Sequence, residues 1–184
     1  MNPPLIHKDI EGKYHKKLFV QDYGKKQLID GVKIIEVKNF IGEDGDFSEL
    51  MRLTQTGESE QFPGFFLRQM SRSKIMPGSI KAWHIHFAQE DIWHILPEDH
   101  LLVGLWDVRK DSPTNGVTMR IALGGGKGHL VYIPRGVAHG GANYGNKPAT
   151  ILYFVNSQFN IDNPDEIRLP WNEHGDTFWE PIKG

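Results

Sequence analysis

Residues 78–91 read GSIKAWHIHFAQED and place two histidines one residue apart, directly before acidic side chains. Successive side chains of a β-strand point to opposite faces of the sheet. In a strand, His84 and His86 therefore share one face with Ala82, whereas Lys81 lies on the other face. Residues two apart in a strand are separated by about 6 to 7 Å, so both imidazoles can reach one ligand. We expect a functional site here, in which the histidines either hold a metal ion or transfer protons.

Short apolar runs like this one recur along the chain between turns rich in glycine, proline and asparagine. They are GVKIIEVKNF (31–40), FFLRQMS (65–71), LLVGLWDV (101–108), VTMRIAL (117–123), HLVYIP (129–134) and ATILYFVN (149–156). Their length and spacing predict an all-β fold, either an antiparallel barrel or a sandwich. Helix-length periodicity is scarce, and the best candidate for a helix is the stretch 5–19.

The composition narrows the class of protein. The chain has 184 residues, with 21 Lys plus Arg against 23 Asp plus Glu and no cysteine. This length predicts a single domain over residues 1–184. The charge balance argues against nucleic acid as a partner, and no stretch approaches the ~20 apolar residues of a membrane span or forms a signal peptide. We expect a cytoplasmic protein that acts on a small molecule, and any metal site must use histidine and carboxylate.

The spacing around the two histidines resembles the first signature of the cupin superfamily, except that Pro97 replaces its closing glycine. A second cupin signature is matched over residues 128–143. The resemblance implies a small antiparallel β-barrel or jelly roll, with a barrel core at about 41–157 and a C-terminal segment, 158–184, packed on it. In metal-dependent cupins, these positions bind iron, manganese, nickel or zinc, here through His84, His86, Glu90 and His139.

A wider resemblance extends from Ile41 to Trp179. The ordered motifs that carry it are SRS (71–73), GSIKAWH (78–84), DVRKDSPTNG (107–116), IPRGVAHG (133–140), LYFVN (152–156) and PWNE (170–173). They resemble the motifs of dTDP-4-dehydrorhamnose 3,5-epimerases, which are cupin-shaped, use no metal and invert carbons beside the ketone of a nucleotide-linked 4-keto-6-deoxy sugar. Because this resemblance also accounts for segments outside the cupin signatures, we expect a cofactor-free isomerase of deoxysugar and polysaccharide biosynthesis.

The family resemblance implies roles for single residues. His84 falls on the general base, Tyr153 on the general acid, and Glu173 at or near the acid that orients the base. The implied substrate-binding residues are Glu49, Gln69, Lys81, His86, His94, His139 and Glu166. The substrate would be a nucleotide sugar. Members of the family normally form homodimers in which a strand or loop of one barrel completes the other's site, and the stretch 31–40 is our candidate for that exchange.

The chain departs from the family pattern where the substrate's charge is bound. Asp44 and Lys81 each stand in place of an arginine, and His86 stands where the family usually has glutamine. A lysine cannot reproduce the bidentate contact of arginine with phosphate. Two other functions therefore stay open: a metal-dependent cupin enzyme, either a dioxygenase or an isomerase, and a sugar-binding cupin without turnover.

Overall fold

The regular structure of the chain is almost entirely β in the computed structural model, which describes residues 3–21, 24 and 27–182. The strands are β1 (Lys33–Val37), β2 (Phe40–Gly42), β3 (Gly45–Phe47), β4 (Gln69–Ile75), β5 (Ile80–Ile85), β6 (Asp91–Ile95), β7 (His100–Asp107), β8 (Thr118–Gly124), β9 (Gly128–Ile133), β10 (Val137–Ala142), β11 (Ala149–Val155) and β12 (Ile167–Arg168). Three short 3-10 helices are His7–Asp9, Gly12–Lys17 and Asp176–Trp179. The predicted all-β class is confirmed, and the stretch 5–19 contains two 3-10 turns instead of a longer helix.

The strands form two antiparallel five-stranded sheets that face each other as a jelly roll. The first sheet has the order β1-β9-β6-β11-β4, and the second has the order β12-β5-β10-β7-β8. Strands β2 and β3 form a separate hairpin. Apolar side chains from both sheets fill the space between them, among them Trp93, Leu105 and Ile151, each at most 3% exposed. The sheet begins at Lys33, before the expected start of the barrel core, and β1 pairs with β9 of the same chain.

Two central strands, β6 and β10, were not predicted from the sequence. Every residue of both strands is buried, because each strand has a neighbour on either side and covered faces. Such strands lack the alternation of apolar and polar residues that marks a half-exposed strand. The two strands at the centres of the sheets are therefore the ones whose apolar–polar alternation is weakest in the sequence.

A β-bulge in the pairing of β5 with β10 changes which side chains share a face. Two residues of β5, Ala82 and Trp83, stand opposite the single residue Gly140. The extra residue reverses the alternation locally. Lys81 therefore lies on the inner side with His84, and Ala82 packs with the cluster around Trp83 on the outer side. Lys81 and Ala82 do lie on opposite faces, but the prediction that Ala82, and not Lys81, shares a face with His84 was wrong because of this bulge.

The C-terminal segment lies over the outer face of the second sheet. Phe178 and Trp179 pack on Trp83, with ring centroids 4.9 and 4.7 Å away, and the indole Nε1 of Trp179 donates a hydrogen bond of 2.9 Å to the carbonyl of Trp171. Trp179, which is 1% exposed, thus anchors this segment by packing, whereas Trp171 is 46% exposed and contributes its backbone carbonyl. Within the described residues, no helix combines the length and apolar character needed to cross a bilayer.

Candidate active site

A cavity of about 660 Å³ opens at one end of the jelly roll, between the two sheets. Small-molecule sites usually measure about 300 to 1,000 Å³. The cavity is lined by β5 and β10 on one side and by β4, β6 and β11 on the other, and the segment 157–168 crosses its rim. A ligand in this cavity is therefore reached from two opposite walls.

His84 lies on one wall with a carboxylate at its back. Strand β12 pairs with β5 so that Arg168 is opposite His84, and this register brings Oε1 of Glu166 to 3.1 Å from His84 Nδ1. Arg168 Nη2 donates a 2.6 Å hydrogen bond to the same oxygen. Burial raises the pKa of Glu166, but its interactions with His84 and Arg168, which include a hydrogen bond from each, outweigh burial and lower the pKa below its ordinary value. The carboxylate is ionised and only accepts hydrogen bonds, so Nδ1 of His84 carries the proton and Nε2 carries the lone pair.

The same environment keeps His84 neutral. Burial is the largest cause, and the nearby His139 and Arg168 add to it; together they lower the pKa of His84 from 6.5 to about 4 against the opposing attraction of Glu166. At neutral pH the imidazole is thus uncharged, with its proton on Nδ1 and Nε2 free to accept another. This is the state that a general base requires before reaction.

Tyr153 lies on the opposite wall, on β11. Its hydroxyl is 2.7 Å from Oγ of Ser73, and its ring meets the ring of Trp93 edge-on at 5.3 Å. Burial raises the pKa of Tyr153, although the hydrogen bond with Ser73 acts against it. The phenol therefore keeps its proton at neutral pH and can donate it. Ser73 lies on the neighbouring strand β4 and holds the hydroxyl at this position on the wall.

The floor of the cavity is built from buried polar side chains. His139 stacks on His84 with ring centroids 5.9 Å apart, and its ring lies 5.2 Å from that of His86. Asp91 lies below both, and Trp93 meets His139 edge-on at 5.2 Å. The floor is thus a packed layer between the two walls.

Asp165 ties the rim segment to the loop after β5. Its carboxylate accepts hydrogen bonds of 2.8 Å from the backbone N–H groups of Phe87, Ala88 and Gln89. These bonds outweigh the effect of burial and lower the pKa of Asp165. The clamp fixes the chain immediately before Glu166, so it also fixes the carboxylate behind the base.

The structure brings most of the expected site residues to this cavity. They are His84, Tyr153, Gln69, Lys81, His86, His139 and Glu166. Glu173 is not among them: it is exposed in a turn after Pro170. Of the described acidic residues, Glu166 is the one that contacts the imidazole of His84, so the expected orienting role passes from Glu173 to Glu166.

Two further expected residues, Glu49 and His94, lie outside the cavity lining. Glu49 is exposed and forms an ion pair of 2.8 Å with Arg52. His94 is buried on the outer face of β6, and its Nδ1 is 2.9 Å from the carbonyl oxygen of His129. Neither residue lines this cavity, so their substrate-binding roles stay predictions. For His94 the reason is strand alternation, which turns His94 outward when Asp91 and Trp93 face inward.

The metal set expected as the alternative is not assembled in full. Glu90 accepts a 3.0 Å hydrogen bond from Asn156 and lies 3.5 Å from Arg135, outside the cavity lining. Asp91, one residue later, points inward instead. Strand alternation would have placed Asp91 on the inner face only if β6 had been recognised as a strand. Ser73 lies in a matched motif, whereas Asp165 and Arg168 carried no signal in the sequence, since long-range pairing brings them to the site.

Comparison with known proteins agrees with the geometry. The family model of dTDP-4-dehydrorhamnose 3,5-epimerase matches residues 26–177. The spore coat polysaccharide biosynthesis protein SpsL of Bacillus subtilis is 41% identical over 146 residues, which cover 79% of this chain and 92% of that protein.

Solved structures show the same fold. One is a dTDP sugar isomerase from Desulfovibrio desulfuricans, with a TM-score of 0.69 and 24% identity over 79% of this chain and 88% of that chain. Another is a dTDP-6-deoxy-D-glucose-3,5-epimerase from Legionella pneumophila in complex with dTDP-4-keto-L-rhamnose, with a TM-score of 0.70 and 23% identity over 85% of this chain and 82% of that chain.

Proposed function

Because the chain belongs to the dTDP-4-dehydrorhamnose 3,5-epimerase family, we propose that it inverts carbon beside the ketone of a nucleoside-diphosphate 4-keto-6-deoxy sugar. The chain is a sugar-nucleotide epimerase, and the specific substrate and the residues that act on it are our proposal. The observation that carries the proposal is a neutral histidine and a protonated tyrosine facing one cavity from opposite sheets. Inversion requires this arrangement, because a proton must leave one face of a carbon and another must reach the opposite face.

The proposed reaction has two proton transfers. A ketone acidifies the C–H bonds beside it, so Nε2 of His84 removes the proton and the electron pair moves onto the ketone oxygen as an enolate. Glu166 holds the ring and stabilises the imidazolium that forms. The hydroxyl of Tyr153 then delivers its proton to the other face of the same carbon, the ketone re-forms, and solvent restores both side chains.

Positive side chains on the cavity wall suit an anionic substrate. Lys81 reaches the cavity because of the bulge in β5, and Arg168 lies at the rim beside Glu166. We assign these two cations to the diphosphate, and we assign Gln69, His86 and His139 to contacts with the sugar. Glu166 serves as a positioning residue instead of a substrate-binding one.

We propose that these transfers need no cofactor. Both proton carriers are side chains of the protein, and the metal set expected as the alternative lacks Glu90 at the cavity. A binding protein without turnover is the weaker alternative, because it would have no need for a base and an acid on opposite walls.

Proton exchange tests the function directly. Chelator-treated protein is incubated in D₂O with dTDP-4-keto-6-deoxyglucose, and deuterium at C3 and C5 is followed by NMR. We expect incorporation without added metal, and the labelled positions identify which carbons are inverted. His84→Asn or Tyr153→Phe should each slow exchange by at least about 100-fold, the lower range for general acid–base catalysis.

Tyr132→Phe is the matched control. Tyr132 is a partly buried strand tyrosine that packs on Phe62 and Phe65 away from the cavity, so its loss should leave exchange near the wild-type rate. Exchange that appears only after iron, manganese, nickel or zinc is restored would contradict the metal-free reaction. Equal exchange in His84→Asn and wild type would contradict the assigned base.

We further propose that the protein acts in the cytoplasm, where nucleotide sugars are made, and as a homodimer. The hairpin of β2 and β3 supports the homodimer, because Phe40, Ile41 and Phe47 are 61%, 85% and 65% exposed there. Clustered apolar side chains of this kind mark interaction surfaces. Sedimentation equilibrium should give twice the 21.0 kDa of the chain. A species of 21.0 kDa at working concentration would overturn the homodimer.

A further inference from the structure

Three buried side chains converge on one point in the cavity floor. His86 follows β5, Asp91 begins β6, and His139 lies in β10. Nε2 of each histidine is 3.8 Å from Oδ2 of Asp91, and the three residues are only 7%, 3% and 2% exposed. Potential ligand atoms of all three lie within 4.8 Å of one another. The proposed reaction assigns the two histidines to the sugar and leaves this convergence unexplained.

Hydrogen bonds to the backbone fix the tautomers of both histidines. Nδ1 of His139 is 2.9 Å from the carbonyl oxygen of Val137, and Nδ1 of His86 contacts the carbonyl oxygen of Asp165. A carbonyl oxygen only accepts hydrogen bonds, so Nδ1 is the protonated nitrogen in each ring. When the rings are neutral, both Nε2 atoms direct lone pairs towards Asp91. Histidines that bind metals commonly donate their other N–H group to a backbone carbonyl in this way.

The carboxylate of Asp91 is also held from behind. Gln89 Nε2 donates to its Oδ1 at 2.8 Å, and Trp93 Nε1 donates to its Oδ2 at 3.0 Å. With both rings neutral, three electron-rich atoms face one another, and each nitrogen–oxygen distance of 3.8 Å is too long for a hydrogen bond. Acceptors that converge in a buried place are unfavourable unless a positive centre lies between them.

We infer that His86, Asp91 and His139 bind one divalent first-row transition-metal ion. Two imidazole nitrogens and one carboxylate oxygen suit Zn²⁺, Mn²⁺ or Fe²⁺, whereas Mg²⁺ and Ca²⁺ prefer oxygen ligands alone. With metal–ligand distances of about 2.1 Å, tetrahedral ligands lie about 3.4 Å apart. The two nitrogen–oxygen separations of 3.8 Å are close to that spacing, and all the potential ligand atoms lie within 4.8 Å of one another, so side-chain adjustment closes the site around an ion. The remaining coordination positions open towards the cavity.

The metal site goes beyond the proposed function and revises one part of it, because an ion held by Nε2 of His86 and His139 would occupy the atoms assigned above to contacts with the sugar. Neither proton carrier is a ligand, and Glu166 is bound to His84 and Arg168 instead. His86, which stands in place of the family's usual glutamine, supplies one of the two nitrogens. Metal binding and proton exchange are therefore separate properties that can be measured separately.

Metal titration in the absence of substrate tests the site. Protein is stripped with a chelator and titrated calorimetrically with Zn²⁺, and binding of Mn²⁺ is followed by electron paramagnetic resonance. We expect one ion per chain and no comparable binding of Mg²⁺. His86→Gln, His139→Gln and Asp91→Asn should each weaken the affinity by at least about 100-fold, since even loss of a residue that only orients a ligand costs 10- to 100-fold.

Two other histidines provide matched controls. His84 is in the same cavity and His94 is on the same strand as Asp91, but neither belongs to the cluster, so His84→Asn and His94→Gln should bind Zn²⁺ like the wild type. Zn²⁺ should also raise the midpoint of thermal unfolding of the wild type and both controls, because a ligand bound to the folded state stabilises it. The three ligand variants should show no such rise.

Circular dichroism identifies any variant that fails to fold, and the remaining ligand variants still decide the question. Absence of Zn²⁺ and Mn²⁺ binding by folded wild-type protein would overturn the inference. Wild-type affinity in folded His86→Gln or Asp91→Asn would overturn it as well. A negative metal titration would not affect the prediction of deuterium exchange. A negative exchange experiment would likewise not affect the prediction of metal binding.

Discussion

Nδ1 of His84 is held by Glu166, and this single contact decides which ring nitrogen can take a proton from the substrate. We predict that Glu166→Gln lowers kcat by roughly 10- to 100-fold, less than the 10²- to 10⁴-fold contribution of a general base itself. The carboxylate also attracts the proton on His84, so its loss should shift the acid limb of the pH–rate profile to lower pH. Steady-state kinetics across pH measures both effects.

Glu173→Gln is the control for that prediction, since Glu173 is exposed and has the same side-chain chemistry. It should leave both kcat and the pH profile unchanged. If the acid limb of the pH–rate profile is unshifted in Glu166→Gln, Glu166 has only a structural role. If Glu173→Gln lowers kcat or shifts that limb, Glu173 is the residue that orients the base, as first expected from the sequence.

The lowered pKa of His84 predicts an unusual pH dependence of the rate. The neutral imidazole is the active form, so kcat/KM should stay high below pH 6.5 and fall only as the pH approaches about 4. On the alkaline side, burial raises the pKa of Tyr153, so the acid stays protonated beyond the ordinary tyrosine range. Deuterium exchange at a series of pH values measures the profile. An acid limb centred at 6.5 would show that His84 is not desolvated as the structure has it.

Among the elements, the sequence predicted strands well where some side chains are only partly buried and poorly where every side chain is buried. The runs at 117–123 and 149–156 became β8 and β11, whereas β6 and β10, buried throughout, lacked a readable pattern. The bulge in β5 was equally invisible, because it arises from pairing with Gly140 in a distant strand. Lys81 reached the cavity through that pairing and not through its own position in the sequence.

We predict that Gly140→Ala destabilises the protein and disturbs the cavity. An added Cβ would lie 2.5 Å from Cβ of Ala82 and 2.6 Å from the carbonyl oxygen of Lys81, so the bulge must shift. Overpacking of this kind typically costs about 1 to 3 kcal/mol. Urea unfolding should show that loss, and KM for the nucleotide sugar should rise because Lys81 moves.

Gly12→Ala is a suitable control, since an added Cβ there meets no atom within 4 Å. Its free energy of unfolding should stay within about 0.5 kcal/mol of the wild type, as for most surface substitutions. Unchanged stability and KM in Gly140→Ala would mean that the bulge tolerates a side chain and does not fix Lys81.

For the whole molecule, motif order was a better guide than any single residue. The matched motifs predicted the jelly roll and placed His84 and Tyr153 on the cavity walls, because the fold fixes where each strand ends. The order of the motifs could not identify the acidic residue that contacts His84. Glu166 reaches His84 through the register of the short strand β12, and that register depends on the rim clamp of Asp165.

Burial of neutral histidines makes the stability of the whole molecule depend on pH. Burial is the main cause that lowers the pKa of His84, His94 and His139 in the folded state, whereas each titrates near 6.5 when unfolded. The unfolded chain therefore binds more protons in this range. The stabilisation is fully present above pH 6.5 and is lost as the pH falls towards the folded pKa, which is about 4 for His84.

We predict that the free energy of unfolding falls between pH 6.5 and 4.5, by up to about 1.4 kcal/mol per pH unit for each such histidine. Asp165 and Glu166 have lowered pKa values, so their contributions are lost only at still lower pH. Urea unfolding at several pH values measures the slope, and His84→Asn should reduce it because asparagine takes up no proton. If the free energy of unfolding had the same pH slope in His84→Asn and wild type, His84 would be solvated in the folded protein. That result would also remove the physical basis for its role as a base that is neutral at acid pH.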